Sequence, residues 1–258
     1  MISIHSVTDH ISYFNVPYKD IFVGIYVIRT EAGTVLFDTA GCNDDIDNYI
    51  LPASKQLNTM PNHIFISHNH TDHAGGLARA MECFPNAALF SRSPALKEKY
   101  PSLHCPSNDD LICDVLQVIT IPGHTADAMA LLDLRTNTLI SGDCLQAYGI
   151  FGSGNWYSNI TLPMEHLEAI RKLRNLPLNI LATAHDYHPL GMVIYGQEAI
   201  ACYLDSCIAA LRRLHDQIYA HPQLNNDQLA DLCNNGSFPK VSPTVLKALR
   251  NLAVQDFK

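Results

Sequence analysis

Ser67-His68-Asn69-His70-Thr71-Asp72-His73-Ala74-Gly75-Gly76 is the stretch around which the rest of the chain can be read. It follows His63-Ile64-Phe65-Ile66, a short apolar and β-branched run that reads as a buried strand. Beyond it, Leu77, Ala80, Met81 and Phe84 recur at helical spacing. Three imidazoles and one carboxylate therefore fall on a strand-to-helix turn, where loop side chains can converge on one point.

That chemistry points to metal. Neutral imidazole nitrogens and carboxylate oxygens suit zinc, iron or manganese, and a catalytic zinc keeps one coordination position open for water. His68 and His70 are two residues apart, so in an extended segment their side chains leave the same face. Asp72 and His73, at the turn, point elsewhere and can hold a second ion beside the first. At this composition, chance would place His-x-His-x-Asp-His in roughly 0.2% of chains. The bland alternative, a polar loop whose histidines cap a helix, is correspondingly weak.

With these residues the sequence resembles the metallo-β-lactamase superfamily, whose hallmark is His-x-His-x-Asp-His after a strand. The resemblance extends to Val35-Leu36-Phe37-Asp38-Thr39-Ala40, Pro122-Gly123-His124-Thr125, Ser141-Gly142-Asp143 and Ala184-His185-Asp186, in the family's order and over roughly residues 20 to 190. It implies that one metal takes His68, His70 and His124. The other takes Asp72, His73 and His185, with Asp143 bridging both. Asp38 is similar to the family's outer carboxylate that orients a ligand imidazole. The implied fold is α+β, a four-layer αβ/βα sandwich with a C-terminal helical extension. Residues 1–191 form the catalytic domain and 192–258 a helical appendage packed on it. The implied cofactor is a pair of divalent ions, zinc first, with iron or manganese as alternatives.

Bulk properties narrow the partners. The chain has 258 residues, 47% of them hydrophobic and 16% charged, enough for one large core. Its formal charge of −8 argues against nucleic acid or an anionic membrane as partner. No basic leader and no apolar run of membrane-spanning length is visible, so a cytoplasmic protein is expected. The eight cysteines are scattered without a Cys-x-x-Cys pair, which reads as buried thiols rather than disulfides.

Every proposed ligand falls at or just past a strand end. Residues 21–28 and 34–37 read as paired strands, and 43–57 as a helix capped by Asn43-Asp44-Asp45. Ala87 to Phe90 reads as a strand and Ser93-Pro94 opens a short helix. Leu111 to Thr120 leads into His124. A hairpin through Arg135-Thr136-Asn137 leads to Asp143. Pro163 to Leu176 is an amphipathic helix, and Leu178 to Thr183, read as the last strand, delivers His185. From Met192 onward the pattern turns helical, to about Ala220 and again at 226–233 and 242–253. This tail either roofs the site or forms a homodimer face.

Among the remaining residues, His188 is a local rival to His185. Cys144 reads better as a small buried residue than as a soft ligand. Tyr148, Trp156 and Tyr157 lie in a Gly- and aromatic-rich loop that reads equally as pocket wall or plain surface. The activity implied is hydrolysis of a small carboxylic ester, lactone or thioester by a metal-bridging hydroxide, with Asp72 steering its proton. Ala184-His185-Asp186 is similar to the Gly-His-Asp of quorum-signal lactonases. Thioester hydrolases of the glyoxalase II type share the metal motif, but no counterpart of their basic glutathione-binding residues stands out. Alternatives are a phosphodiesterase or nuclease, which the acidic balance disfavours, and a non-catalytic ligand binder. A redox di-iron member is a third, against which His70 speaks because those members usually carry Glu there.

Overall fold

The computed structural model describes residues 1–150, 158–188, 190–234 and 241–257. The chain divides into two compact units, Met1–Thr120 with Met129–Thr136, and Ile121–Ala128 with Asn137–Lys258.

The first unit is built on a sheet whose strand order follows the chain: β1 (His5–Ser6), β2 (Ile11–Tyr18), β3 (Ile21–Arg29), β4 (Thr34–Phe37), β5 (His63–Phe65) and β6 (Ala88–Phe90). The first four run antiparallel, and β4–β5 and β5–β6 are parallel, with helical segments in the crossovers. Val23 to Ile28 are buried without interruption, so both faces of β3 are covered, as its unbroken apolar run demands. A second ladder joins β7 (Leu111–Ile112), β8 (Leu116–Thr120) and β9 (Met129–Asp133), all antiparallel. Buried Asp133 on β9 is held by the guanidinium of Arg135 and by His10.

Three local features depart from the expected pattern. β2 was not anticipated, because Asn15 and Pro17 interrupt its alternation; it nonetheless pairs with β3 along its whole length, Ile11 opposite Ile28 and Tyr18 opposite Ile21. The expected helix over 43–57 is present as Asn43–Asp45, a π-helical stretch Ile46–Ile50 and Leu51–Gln56. Pro52, which has no N–H to give to the turn before it, follows the π stretch with only Leu51 between. The run from Leu111 to Thr120 breaks at Cys113 and Asp114, both with left-handed φ (51° and 61°).

In the second unit β10 (Thr138–Ile140) pairs parallel with β11 (Ile180–Ala182), and β12 (Val193–Tyr195) pairs antiparallel with β11. β12 is a strand where the sequence predicts the start of the helical tail. Three residues of alternating Val, Ile and Tyr give too short a signal against the helix that follows. The helices Pro163–Leu173, Gln197–Ala220, Asn226–Asn234 and Pro243–Leu249 complete the unit. Leu167 of the first joins Leu211, Leu214, Leu229, Val245, Leu246 and Phe257 in one buried cluster, so the tail shares its core with the helix that precedes β11. None of the described cysteines is in a disulfide. No helix among the described residues is long and apolar enough to cross a membrane.

Two glycines fix the start of the helix Leu77–Cys83. A Cβ on Gly75 would lie 2.0 Å from the Gly41 carbonyl oxygen, and one on Gly76 2.3 Å from that of Thr39. Their N–H groups instead approach the Ala40 carbonyl at 3.0 and 3.3 Å. Gly75→Ala is therefore expected to lower unfolding stability by at least ~1–3 kcal/mol in urea titrations, because backbone rather than a flexible side chain must yield. Wild-type stability in that variant would show that the close approach is not required.

Candidate metal centre

The His68–His73 turn is organised by one buried carboxylate. Asp38 follows β4 at left-handed φ of 67°, a conformation Asp tolerates better than most residues, and is wholly buried. Its Oδ1 accepts the Ser67 N–H at 2.7 Å. Its Oδ2 accepts the Ser67 hydroxyl at 2.9 Å and His73 Nδ1 at 2.7 Å. Burial pushes its carboxyl pKa up; the His73 imidazole and the Ser67 donors pull the other way. Because the single Ser67 hydroxyl proton goes to Asp38, the 3.1 Å contact between Ser67 Oγ and His68 Nδ1 has the imidazole as donor. Both His68 and His73 thus carry their proton on Nδ1 and present an Nε2 lone pair. One carboxylate sets two tautomers.

The remaining donors of this unit stand close by. The His68 ring lies 4.6 Å from that of His70 and 4.2 Å from that of His73, centre to centre. His70, half-buried, precedes the short helix Thr71–Ala74 in extended conformation, whereas Asp72 and His73 lie within it. Asp72 Oδ2 is 3.6 Å from His73 Nε2. Thr39 closes the base of the turn, its N–H and hydroxyl both donating to the His73 carbonyl at 2.7 and 3.0 Å.

The second unit carries His124, Asp143 and His185, all buried. His124 Nε2 is 3.7 Å from Asp143 Oδ2, and His185 Nε2 is 3.3 Å from Asp143 Oδ1. These separations exceed an ordinary N–H···O bond. They match the ~3.4 Å between two tetrahedral ligands of one zinc, given metal–ligand distances of about 2.1 Å. His124 Nδ1 lies 2.7 Å from the Asn159 carbonyl and 3.0 Å from the Gln146 amide nitrogen; with its proton on Nδ1 and given to that carbonyl, Nε2 presents a lone pair. Beside it His166 is fully buried; burial, then His124, drives its pKa down to about 3, so it stays neutral.

Both donor sets, imidazole nitrogens with carboxylate oxygens, fit divalent zinc, iron or manganese. His185 is buried against Asp143, whereas His188 is exposed, which separates the two local rivals. Cys144 is a small buried residue. Tyr148 is half-buried and its N–H donates to the His188 carbonyl at 3.3 Å. Trp156 and Tyr157 lie outside the described residues. The sequence reading did not single out Ser67, Gln146, Asn159 or Tyr203. Each acts on a residue distant in the chain, so no local spacing marks it.

Comparison with known proteins agrees with this chemistry. The sequence profile of the metallo-beta-lactamase superfamily matches residues 19–89. A hydroxyacylglutathione hydrolase of Xanthomonas axonopodis pv. citri (strain 306) is 30% identical over 176 residues, 66% of this chain and 63% of that protein. One from Pectobacterium carotovorum subsp. carotovorum (strain PC1) is 29% identical over 140 residues, 54% of this chain and 53% of that one. The matched region thus spans less than two thirds of these relatives' length. Among solved structures, a metallo-beta-lactamase family protein from Thermus thermophilus aligns with a TM-score of 0.67 at 15% identity, covering 95% of this chain and 92% of that one. A metallo-beta-lactamase from Pontibacter korlensis aligns at 0.61 and 17%, covering 80% and 99%. The chain is thus similar to the metallo-β-lactamase superfamily, and it shares the α+β fold of the solved metallo-β-lactamases.

Asp38→Asn puts an amide N–H2 where Oδ2 now accepts two donors, which favours the opposite tautomer of His73. Zinc affinity, measured by chelator competition, is expected to fall ~10–100-fold with the melting temperature recorded alongside. Unchanged affinity would remove Asp38 from the orientation of these imidazoles.

Proposed function

We propose that this chain is a metal-dependent hydrolase of small acyl compounds, cleaving a carboxylic ester, lactone or thioester. Its seven donors are assigned to two divalent ions, zinc first. By the resemblance, His68, His70 and His124 would serve one and Asp72, His73 and His185 the other, with Asp143 shared. The observation that carries this reading is the proton inventory. His68, His73 and His124 each have Nδ1 committed to an acceptor within the protein, so each offers Nε2 to a metal.

Divalent ions held there supply an acidified water and a Lewis acid for a carbonyl oxygen. The residues of the chain do the rest. The imidazoles bind and orient, and buried Asp38 keeps their tautomers. Asp72, whose carboxylate is the least enclosed of the acidic groups at the His68–His73 turn, takes and passes on the proton released on attack. No serine or cysteine nucleophile is required. A small, uncharged or weakly charged substrate suits a chain of net charge −8 better than a polyanion does. Among the three bonds the thioester leads, because the relative at 30% identity is named for an acylated glutathione.

The test is a hydrolysis panel of thioesters, lactones, carboxylic esters, phosphodiesters and β-lactams on zinc-, manganese- and iron-loaded protein. A thioester should be turned over fastest; preference for the phosphodiester would overturn the acyl-substrate reading. Metal analysis should find about two ions per chain, and His68→Ala and Asp143→Ala should each lower hydrolysis on the order of 100-fold or more while the fold persists.

A further inference from the structure

The helix Gln197–Ala220 turns one face to the loop that follows Asp143, and nothing in the ligand assignment uses that contact. Tyr203, wholly buried, donates its hydroxyl to the Leu145 carbonyl at 2.7 Å. One turn further along the helix, the buried thiol of Cys207 accepts the Ala147 N–H. Residues four apart on a helix lie side by side, so the two contacts grip the loop from Leu145 to Ala147 together.

The loop needs such a grip. Ala147 takes a left-handed φ of 40°, a conformation that its Cβ disfavours. Cys144 to Ala147 are all buried, so each backbone polar group there must find a partner inside the protein. On the other side of Asp143, the Gly142 carbonyl accepts the Ala184 N–H at 3.1 Å, which ties it to the residue before His185. Asp143 thus stands between two held carbonyls, one fixed from the His185 segment and one from the helix. Its carboxylate is 3.7 Å from His124 Nε2 and 3.3 Å from His185 Nε2, and a small shift of this backbone changes both separations.

We propose that Tyr203 is a positioning residue for the metal centre. Through the Leu145 carbonyl, and with Cys207 holding Ala147 beside it, Tyr203 sets where the Asp143 carboxylate stands between His124 and His185. The long helix is then part of what retains the metal, not only a cover for the core. The consequence rests on the metal-centre reading; the anchoring of the loop rests on the two contacts alone.

The experiment compares the wild type with Tyr203→Phe, which removes only the hydroxyl, and Cys207→Ala, which removes the thiol acceptor. Ile218→Val is the control. It trims the same helix within the buried cluster that holds Leu214 and Leu229, about 16 Å along the helix from Cys207. In chelator competition Tyr203→Phe should bind zinc ~10-fold or more weakly, and Cys207→Ala should show a smaller loss. The visible absorption band of the cobalt(II)-loaded protein should be displaced in Tyr203→Phe, whereas Ile218→Val should match the wild type in both measurements. In metal-free protein, amide hydrogen exchange at Ala147 and Gly149 should quicken ~5-fold or more in Tyr203→Phe and Cys207→Ala, relative to Leu181 on β11. Melting temperatures of all four proteins separate this from a general loss of fold, and should Tyr203→Phe not fold, Cys207→Ala carries the same readouts. Wild-type zinc affinity and cobalt spectrum in Tyr203→Phe would overturn the proposal, as would an equal loss of affinity in Ile218→Val. If the wild type holds no metal yet loop exchange follows the expected pattern, the hydrolase reading fails and the anchoring by Tyr203 stands.

Discussion

One buried carboxylate dictates the chemistry of the His68–His73 turn. A charge removed from water as fully as Asp38 is costly unless donors surround it, and here a backbone N–H, a hydroxyl and an imidazole N–H do so. The same three bonds that make the charge tolerable also decide which nitrogen of His68 and His73 is free to ligate. Stability and function draw on one set of hydrogen bonds, which is why the polar atoms there are so closely spaced.

The backbone around Asp38 is shaped to deliver that carboxylate. Asp38 and Ala40 both take left-handed φ, 67° and 57°, so the chain reverses within three residues of the end of β4. The Asp38 N–H remains tied to the Phe65 carbonyl on the neighbouring strand at 2.8 Å, and Met129 at the start of β9 donates to the Ser67 carbonyl at 2.9 Å. The strand ends thus hold both partners of the Asp38–Ser67 contact. Gly75 and Gly76 admit the same reversal from the other side, since any side chain there would collide with residues 39 and 41.

The ligand candidates were legible in the sequence because each belongs to a short local pattern: His-x-His-x-Asp-His after a strand, or a lone His or Asp following glycine or alanine at a strand end. Asp38 was legible for the same reason, as the residue after Val35-Leu36-Phe37. Their orienting partners were not. Ser67 reaches Asp38 across 29 positions, and Gln146 reaches Asn159 across 13. Such pairs have no spacing to betray them, and a serine beside a histidine or a glutamine in a loop is unremarked until the fold closes. The same distinction holds for the strands. β3, β4 and β5 declare themselves by apolar runs, whereas β2 and β12 depend on partners that supply what their own sequences lack.

The second unit meets the same requirement by other means. Where Asp38 uses a charge, His124 is held by a neutral backbone carbonyl, which orients the ring without adding a second buried anion beside Asp143. A neutral acceptor polarises the imidazole less than a carboxylate does, so its aim matters more, and aim here is supplied by hydrogen bonds to both sides of the Asn159 peptide. The long helix Gln197–Ala220 enters at this point. Tyr203 must find an acceptor for its hydroxyl because it is wholly buried, and the acceptor it finds is Leu145, two residues from Asp143 and one from Gln146. Burial raises its pKa well above the usual phenol value, with Cys207, Asp143 and Asp186 adding to the effect, so the hydroxyl remains protonated and donating. A helix that the sequence marks only as a tail is therefore tied by its most buried aromatic to the loop that carries Asp143.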